Sequence, residues 1–304
     1  MLPFFSKRPG LGIEITSDAV RLAEVSGSGR IAARKTALPA GTVTADYSSL
    51  NIHDPDGLVE VFRRCLDGIS PVRARRAALS LPDGVFRVQT LEFDELPGKA
   101  VDRERLVRWR LEKSAFDVSD TVLRYQVLKR PDKGFSVLAC AAKSAVISQY
   151  ESLLSGLGLE PWSVGVSSFH SLNLYSPFLS KSFPVFALAH VSEDCCATIV
   201  AEPGGARFYR YKEVKRGSAE EITARLVREI GDSLHFYTHM ASSQQNGVGR
   251  LYLTGDGAAL PGLADGLKDM TLLDVEALSL SVMAPSLAGV GPELAAALGA
   301  GCGL

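Results

Sequence analysis

Long apolar runs, net charge and pairable cysteines are scarce in this sequence, and each shortage excludes something. No uninterrupted apolar stretch approaches the roughly 18–20 residues that a membrane-crossing helix needs. The 33 basic side chains stand against 34 acidic ones, a formal charge of −1. That balance provides no electrostatic footprint for nucleic acid. The five cysteines, Cys65, Cys140, Cys195, Cys196 and Cys302, are odd in number and lack metal-ligand spacing. Cys195 and Cys196 are neighbours on an expected strand and point to opposite faces, which argues against a bridge between them. The cysteines read as buried thiols of a reducing compartment, and no metal is expected. The N-terminal MLPFFSKRPG has too short an apolar block and the wrong charge order for a signal peptide, so the chain is expected in the cytoplasm. Two readings of Leu2, Phe4 and Phe5 followed by Lys7 and Arg8 stay open: a frayed tail packed on its own domain, or a touch point for an anionic membrane surface or a partner.

What is present is an ordinary globular balance, 46% hydrophobic and 22% charged over 304 residues, enough for a real core and for two domains. The same layout occurs twice. In the first half, Leu11–Ile15, Ala19–Val25 and Ile31–Leu38 alternate as strands of a meander, joined by the polar turn Thr16-Ser17-Asp18 and by GSGR. A helix over Pro55–Asp67 follows, with Leu58, Val59, Phe62 and Leu66 on one face and Gly68 at its end. The short apolar strand Ala77–Leu81 then stops at Pro82-Asp83-Gly84. In the second half, Val185–Val191, Cys195–Ala201 and Ala206–Val214 form the meander, turning at Ser192-Glu193-Asp194. The next helix opens with Ser218 and Glu221 at capping-box spacing and carries the stripe Ile222, Leu226, Ile230, Leu234 and Tyr237. Leu251–Leu253 is the following strand, and TGDGAALPGL leads into another helix with Pro261 near its first turn. The repeat is one of pattern, not of residue identity. Between the halves lies a strand–helix–strand–strand–helix block: Val85–Phe93, Asp102–Ala115, Val122–Leu128, Ser136–Ala141 and Ala145–Leu157, with the turn Pro131-Asp132-Lys133-Gly134.

An ordered set of segments carries a resemblance. It comprises LGIEITSDAVRLAEV, AALSLPDGVFRVQTLEFDELP, RLVRWRLEKSAF, LRYQVL, VLACAAKSAVISQYESLLSGLGLEP, FYRYKEVKRG, REIGDSLHFYTHM, LYLTGDGAALPGLADGL and the small-residue tail LAAALGAGCGL. With these in view the sequence resembles the PilM-like type IV pilus assembly proteins, relatives of the division protein FtsA. The resemblance implies an α/β fold, a duplicated actin-like (ribonuclease H-like) fold with an inserted α+β subdomain. It divides the chain into a first actin-like subdomain over 10–84, an inserted subdomain over 85–160, a return to the first lobe over 161–184, and a second lobe over 185–304 with a helical part at about 218–247.

In that fold each meander turn is expected to hug nucleotide phosphates, which calls for glycine and small hydroxyl residues so that backbone N–H groups reach the oxygens. Acids near the turns support Mg²⁺ or the attacking water. Here Glu14 stands where the family has Asp, Thr16 replaces a glycine, Ser17 remains as a donor, and Asp18 adds an acid. In the second turn the pattern Asp-x-Gly becomes His190-Val191-Ser192, with Glu193 and Asp194 following. Gly255-Asp256-Gly257 replaces a Gly-Gly corner. Two like charges at ~4 Å repel by about 4 kcal/mol at an effective dielectric near 20. ATP hydrolysis is therefore not expected, and no catalytic residue is assigned. A degenerate nucleotide site would use Glu14, Thr16, Ser17, Ser192, Gly255 and Gly257. The expectation is no cofactor, the alternative weak Mg-ATP.

The resemblance further implies a pseudo-ATPase scaffold at the inner membrane, binding the short cytoplasmic tail of a PilN-like bitopic protein among other pilus platform proteins. The groove for that tail is placed between the first and inserted subdomains, at Phe86, Val88, Leu106, Trp109 and Arg110. The alternatives are a nucleotide-dependent switch ATPase and an FtsA-like or GspL-like protein of another envelope machine. FtsA-like proteins call for a C-terminal amphipathic membrane helix, whereas this sequence ends in the uncharged LGAGCGL, read as flexible; GspL-like proteins call for a membrane span. His235 and His239 have metal-pair spacing but no third ligand and read as surface or core-edge residues. Gly165–Phe169 resembles a nucleophile elbow without its second glycine. The basic run Arg73–Arg76 reads as a solvated edge, with contact to an acidic partner or membrane as the sharper option. Arg103, Arg105, Arg108 and Arg110 spread around several helix faces and make no single stripe.

Overall fold

The computed structural model describes residues 10–25, 31–69, 75–114, 116–129, 134–192, 195–214, 217–240, 247–283, 287 and 289–302. Leu2, Phe4, Phe5, Lys7, Arg8, the Gly27–Arg30 turn, Arg73, Ala74, Ala115, Pro131–Lys133, Glu193 and Asp194 lie outside the described residues.

The first meander forms as β1 (Leu11–Ile15), β2 (Ala19–Val25) and β3 (Ile31–Ala37). Its register pairs Glu14 with Arg21 and Ile15 with Val20 across the Thr16–Asp18 turn. Helix α1 (Pro55–Asp67) starts with Pro at its first position and Asp54 accepting from the Gly57 N–H, two features that favour a helix start. Strand β4 (Arg76–Leu81) lies parallel to β1. The second lobe repeats the plan with β9 (Phe186–Val191), β10 (Cys195–Glu202), β11 (Gly205–Glu213), α5 (Ala219–Met240) and β12 (Leu251–Thr254). The Ser218–Glu221 capping box closes in both directions, Glu221 N–H to Ser218 Oγ at 3.3 Å and Ser218 N–H to Glu221 Oε2 at 3.2 Å.

With β8 (Glu160–Val166) and β13 (Val275–Ala277) the two sheets acquire matching strand orders, β3-β2-β1-β4-β8 and β11-β10-β9-β12-β13. The repetition in the sequence is thus a repetition of topology. Inserted into the first lobe between β4 and β8 is a three-stranded sheet of order β5-β7-β6, from β5 (Arg87–Phe93), β6 (Thr121–Lys129) and β7 (Phe135–Lys143), with α2 (Ala100–Lys113). It has a core of its own around Leu91, Val107, Leu111, Leu123 and Val137. Helix α3 (Ser144–Gly156) buries Val146, Ile147, Tyr150 and Leu154 in the first lobe's core. The helix expected after TGDGAALPGL forms as α6 (Leu263–Thr271), with Pro261 just ahead of its first turn.

Two stretches differ from the sequence reading or were not read as elements. Residues 160–179 form β8 and α4 (Ser167–Leu179), so Gly165–Phe169 is a strand-to-helix junction. A Cβ on Gly165 would lie 2.7 Å from His170 Nε2, which accounts for the glycine by close packing. Described through Cys302, the small-residue tail is no flexible end: α7 (Ala295–Gly301) is buried throughout. A Cβ on Gly12 would stand 1.8 Å from the Ala297 carbonyl oxygen, and one on Gly299 would stand 2.2 Å from the His170 carbonyl. The alanines and glycines let α7 press its backbone on β1 and α4, a contact that larger side chains would prevent.

Candidate functional site

Between the lobes, the β1–β2 hairpin meets the Asp256–Ala259 helical turn through Arg21 and Asp256, and that corner rests on Val191 at the end of β9. The two hairpin turns close alike: Thr16 N–H donates to the Ala19 carbonyl at 3.0 Å, and Ser192 N–H to the Cys195 carbonyl at 2.9 Å.

The Thr16 hydroxyl is engaged inside its own turn. Its Oγ1 donates to Asp18 Oδ1 at 2.5 Å and accepts from the Ala19 N–H at 3.2 Å and from Arg21 Nη1 at 2.8 Å. Ser17 and Ser192 are half-buried on their respective turns. Gly255 takes φ 94°, and a Cβ there would meet the Val191 carbonyl oxygen at 2.3 Å. A Cβ on Gly257 would meet Val191 Cγ1 at 2.7 Å. Both glycines thus seat the corner against the chain's own second turn.

The centre of the cleft is Arg21, a residue to which the sequence reading gave no role. It lies on β2 with its side chain 2% exposed. Nη2 donates to Asp256 Oδ2 at 2.8 Å and to Asp18 Oδ2 at 3.2 Å; Nη1 lies 3.6 Å from Glu14 Oε2. One guanidinium fork therefore faces three carboxylates and one hydroxyl. Burial by itself would lower the Arg21 pKa, but Glu14, Asp18, Asp256 and Glu293 raise it above its ordinary value. Burial pushes the Glu14 carboxyl up despite Arg21, His190 and Ser167, which all act to lower it. The 3.6 Å separation is too long for a hydrogen bond, consistent with that direction. Burial acts to raise Asp18 as well, yet Arg21, Thr16 and Lys35 together hold it below the usual carboxylate range. A signal for Arg21 was present in the sequence: a hairpin turning at Ser17-Asp18 places residue 14 opposite residue 21.

A second polar contact spans the lobes. Asp83, 4% exposed, accepts from the Ser168 hydroxyl at 2.5 Å and from Tyr209 Oη of β11 at 2.9 Å. Phe169 stacks on Tyr209 with ring centroids 5.3 Å apart. Behind it, Ser80 Oγ lies 3.0 Å from both Ser167 Oγ and His170 Nδ1. Burial pushes His170 down to about 4, so it stays neutral.

The residues assigned to a partner groove do not form one surface. Phe86 is buried in the first lobe's core, and Val88 packs against both lobes' cores. Leu106 is half-buried, while Trp109 and Arg110 are exposed on α2, Trp109 by 49%. The junction of the first lobe and the inserted segment instead holds a cavity of about 340 Å³, lined by Ser48, Ser49, Leu50, Asp120, Lys143, Ala145 and Val146. Beside it, Tyr47 Oη donates to the Asp117 carbonyl at 2.5 Å and Lys143 Nζ pairs with Asp117 at 2.6 Å.

His235 and His239 are exposed on α5, and no cluster of metal-ligating side chains occurs among the described residues. The five cysteines are thiols, none of them in a disulfide. Arg76 pairs with Glu160 at 3.0 Å and lies over the Trp162 ring. Arg108 donates to the Val118 carbonyl and to Thr121. None of the helices in the described residues is long and apolar enough to cross a membrane.

No family model matches the sequence, and no curated protein matches it. Solved structures do. A chain of the PilM–PilN type IV pilus biogenesis complex is similar at a TM-score of 0.79 and 21% identity, over 97% of this chain and 98% of the other. A protein of unknown function with an actin-like ATPase fold from Bacteroides thetaiotaomicron is similar at 0.56 and 14% identity, over 94% and 98% of the two chains. The ethanolamine utilization protein EutJ from Carboxydothermus hydrogenoformans is similar at 0.53 and 10% identity, over 99% and 92%. Two lobes with matched strand orders, meander turns facing one cleft, and these likenesses over nearly the full length establish that the chain has the actin-like ATPase fold.

Proposed function

We propose that this chain is a scaffold of a type IV pilus or a related secretion machine, with a cleft that does not turn over ATP. It works in the cytoplasm at the inner membrane, recruited by the short cytoplasmic tail of a PilN-like bitopic protein and flanked by other platform proteins. The observation that carries the reading is the likeness to a chain of the PilM–PilN complex at 97% coverage.

The cleft supports the non-catalytic part. A phosphate-binding turn offers free backbone N–H groups, a hydroxyl and an unobstructed metal-bearing acid. Here the Thr16 hydroxyl is engaged within its turn, the corner glycines seat on Val191, and Glu14 faces Arg21. The nucleotide-switch alternative would need Glu14, Ser17, Ser192 and the two glycines to hold Mg-ATP, and titration calorimetry with millimolar Mg-ATP is expected to show no heat.

The tail is tested directly. Binding of a fluorescent PilN tail peptide is followed by anisotropy with the wild-type chain and with Leu50→Asp and Trp109→Asp. Leu50 is 51% exposed at the cavity mouth and Trp109 49% exposed on α2, so both charges fold without burial. Saturable binding weakened tenfold or more by Leu50→Asp places the tail in the cavity; the same loss with Trp109→Asp places it on α2. No saturable binding by the wild-type chain overturns the tail-receptor reading.

A further inference from the structure

We propose that Arg21 is a resident cation that clamps the two lobes across the cleft, so that the closed arrangement needs no bound ligand. This goes beyond the scaffold reading and stands on the cleft geometry alone. The guanidinium is rooted in the first lobe through β2, where Glu14 is its cross-strand partner. On that side Nη1 donates to Thr16 Oγ1 at 2.8 Å and Nη2 to Asp18 Oδ2 at 3.2 Å. On the other side Nη2 donates to Asp256 Oδ2 at 2.8 Å, a partner 235 residues away in the second lobe. A planar fork with several donors in fixed directions can grip both sides at once, which a lysine ammonium cannot do with the same directional control.

The far end of the clamp is anchored, not borne on a loose loop. Asp256 stands between Gly255 and Gly257, both pressed against Val191 of the second turn. Tension on the Asp256 carboxylate is therefore passed to β9 and the second sheet. The Tyr209–Asp83 bond joins the lobes at a second point. Opening the cleft must break the Arg21–Asp256 pair and leave a guanidinium, now 2% exposed, with partners on its own lobe only. Two discrete arrangements of packed lobes separated by such a contact are the usual substrate of hinge closure. Here the contact that biases them is covalently part of the chain.

The experiment is a distance measurement between the lobes in the full chain. Spin labels are carried on bio-orthogonal residues at Glu60 of α1 and Glu220 of α5, both exposed, which leaves the native cysteines untouched. The wild-type distance distribution is expected to be narrow and unchanged by millimolar Mg-ATP. Asp256→Ala, whose side chain is 26% exposed, is expected to fold, shown by an unchanged circular dichroism spectrum, and to give a broader distribution shifted to longer distance. Arg21→Lys is expected to do the same; should it unfold, Asp256→Ala decides alone. A distribution in Asp256→Ala that coincides with the wild type overturns the clamp, as does a wild-type distribution that narrows on adding Mg-ATP. Tail-peptide affinity is read separately, so loss of the scaffold reading leaves this measurement intact.

Discussion

Replacing Arg21 by Met removes the cation from the cleft and keeps its volume. Three carboxylates lose a partner, but unequally. Asp18 is 54% exposed and Asp256 26% exposed, so water takes over much of their solvation. Glu14 is 4% exposed and cannot be rehydrated in place. Breaking a buried pair by deleting one member costs roughly 3–5 kcal/mol; with one carboxylate bearing the loss, about 3 kcal/mol is expected. For a chain of this size that is about 6 °C in Tm, taking about 2 °C per kcal/mol. Adding Glu14→Gln to Arg21→Met removes the stranded charge and is expected to recover most of the loss, a non-additivity that a double-mutant cycle in urea measures. The sign with pH follows from Glu14. Its folded pKa already lies above the unfolded value, and losing Arg21 raises it further. Its contribution is fully present below the unfolded pKa and is lost as pH rises through the folded one. The deficit of Arg21→Met is therefore largest where Glu14 is ionised and shrinks as pH falls toward the unfolded value of 4.5. A deficit below about 1 kcal/mol, no recovery by Glu14→Gln, or a deficit that grows on acidification would refute the reasoning.

Gly12→Ala places a Cβ 1.8 Å from a backbone carbonyl that has no rotamer to yield, and is expected to cost at least about 3 kcal/mol in urea unfolding. Tyr209→Phe keeps the stack on Phe169 and removes one donor from buried Asp83; a loss of about 1–3 kcal/mol is expected. His170 has its pKa pushed from 6.5 down to about 4 by burial, so the folded state binds fewer protons and stability is lost as pH falls from 6.5 toward 4. Urea midpoints over that range should show this slope in the wild type and lose it in His170→Gln.

The sequence was most legible where structure is local. Both meanders, the α1 start at Pro55 and the Ser218–Glu221 capping box were read from alternation, turn residues and spacing. Residues 167–179 were not read as a helix because their serines and His170 look like a polar loop. Ser167, Ser168 and His170 are buried and satisfied by Ser80 and Asp83 from distant segments, and no local pattern announces that. The ending LGAGCGL, 298–304, looked flexible for the opposite reason: small residues weaken a helix signal, while over 298–301 they are what close backbone packing on Gly12 requires. Phe86 fell into a proposed groove because an apolar residue after a turn looks available; the first lobe's core covers it.

By itself the sequence determined a meander–helix–strand plan laid down twice with a strand–helix block between the repeats, and the polar character of the two meander turns. These are properties of short windows, set by side-chain period and turn chemistry. What fills the cleft was decided only by the tertiary structure. Arg21 sits in an alternating strand whose odd positions look solvent-facing, yet α7 and the second lobe cover that face. Its partner Asp256 is 235 residues away, and folding brings the two together because Gly255 and Gly257 admit Val191 at backbone distance.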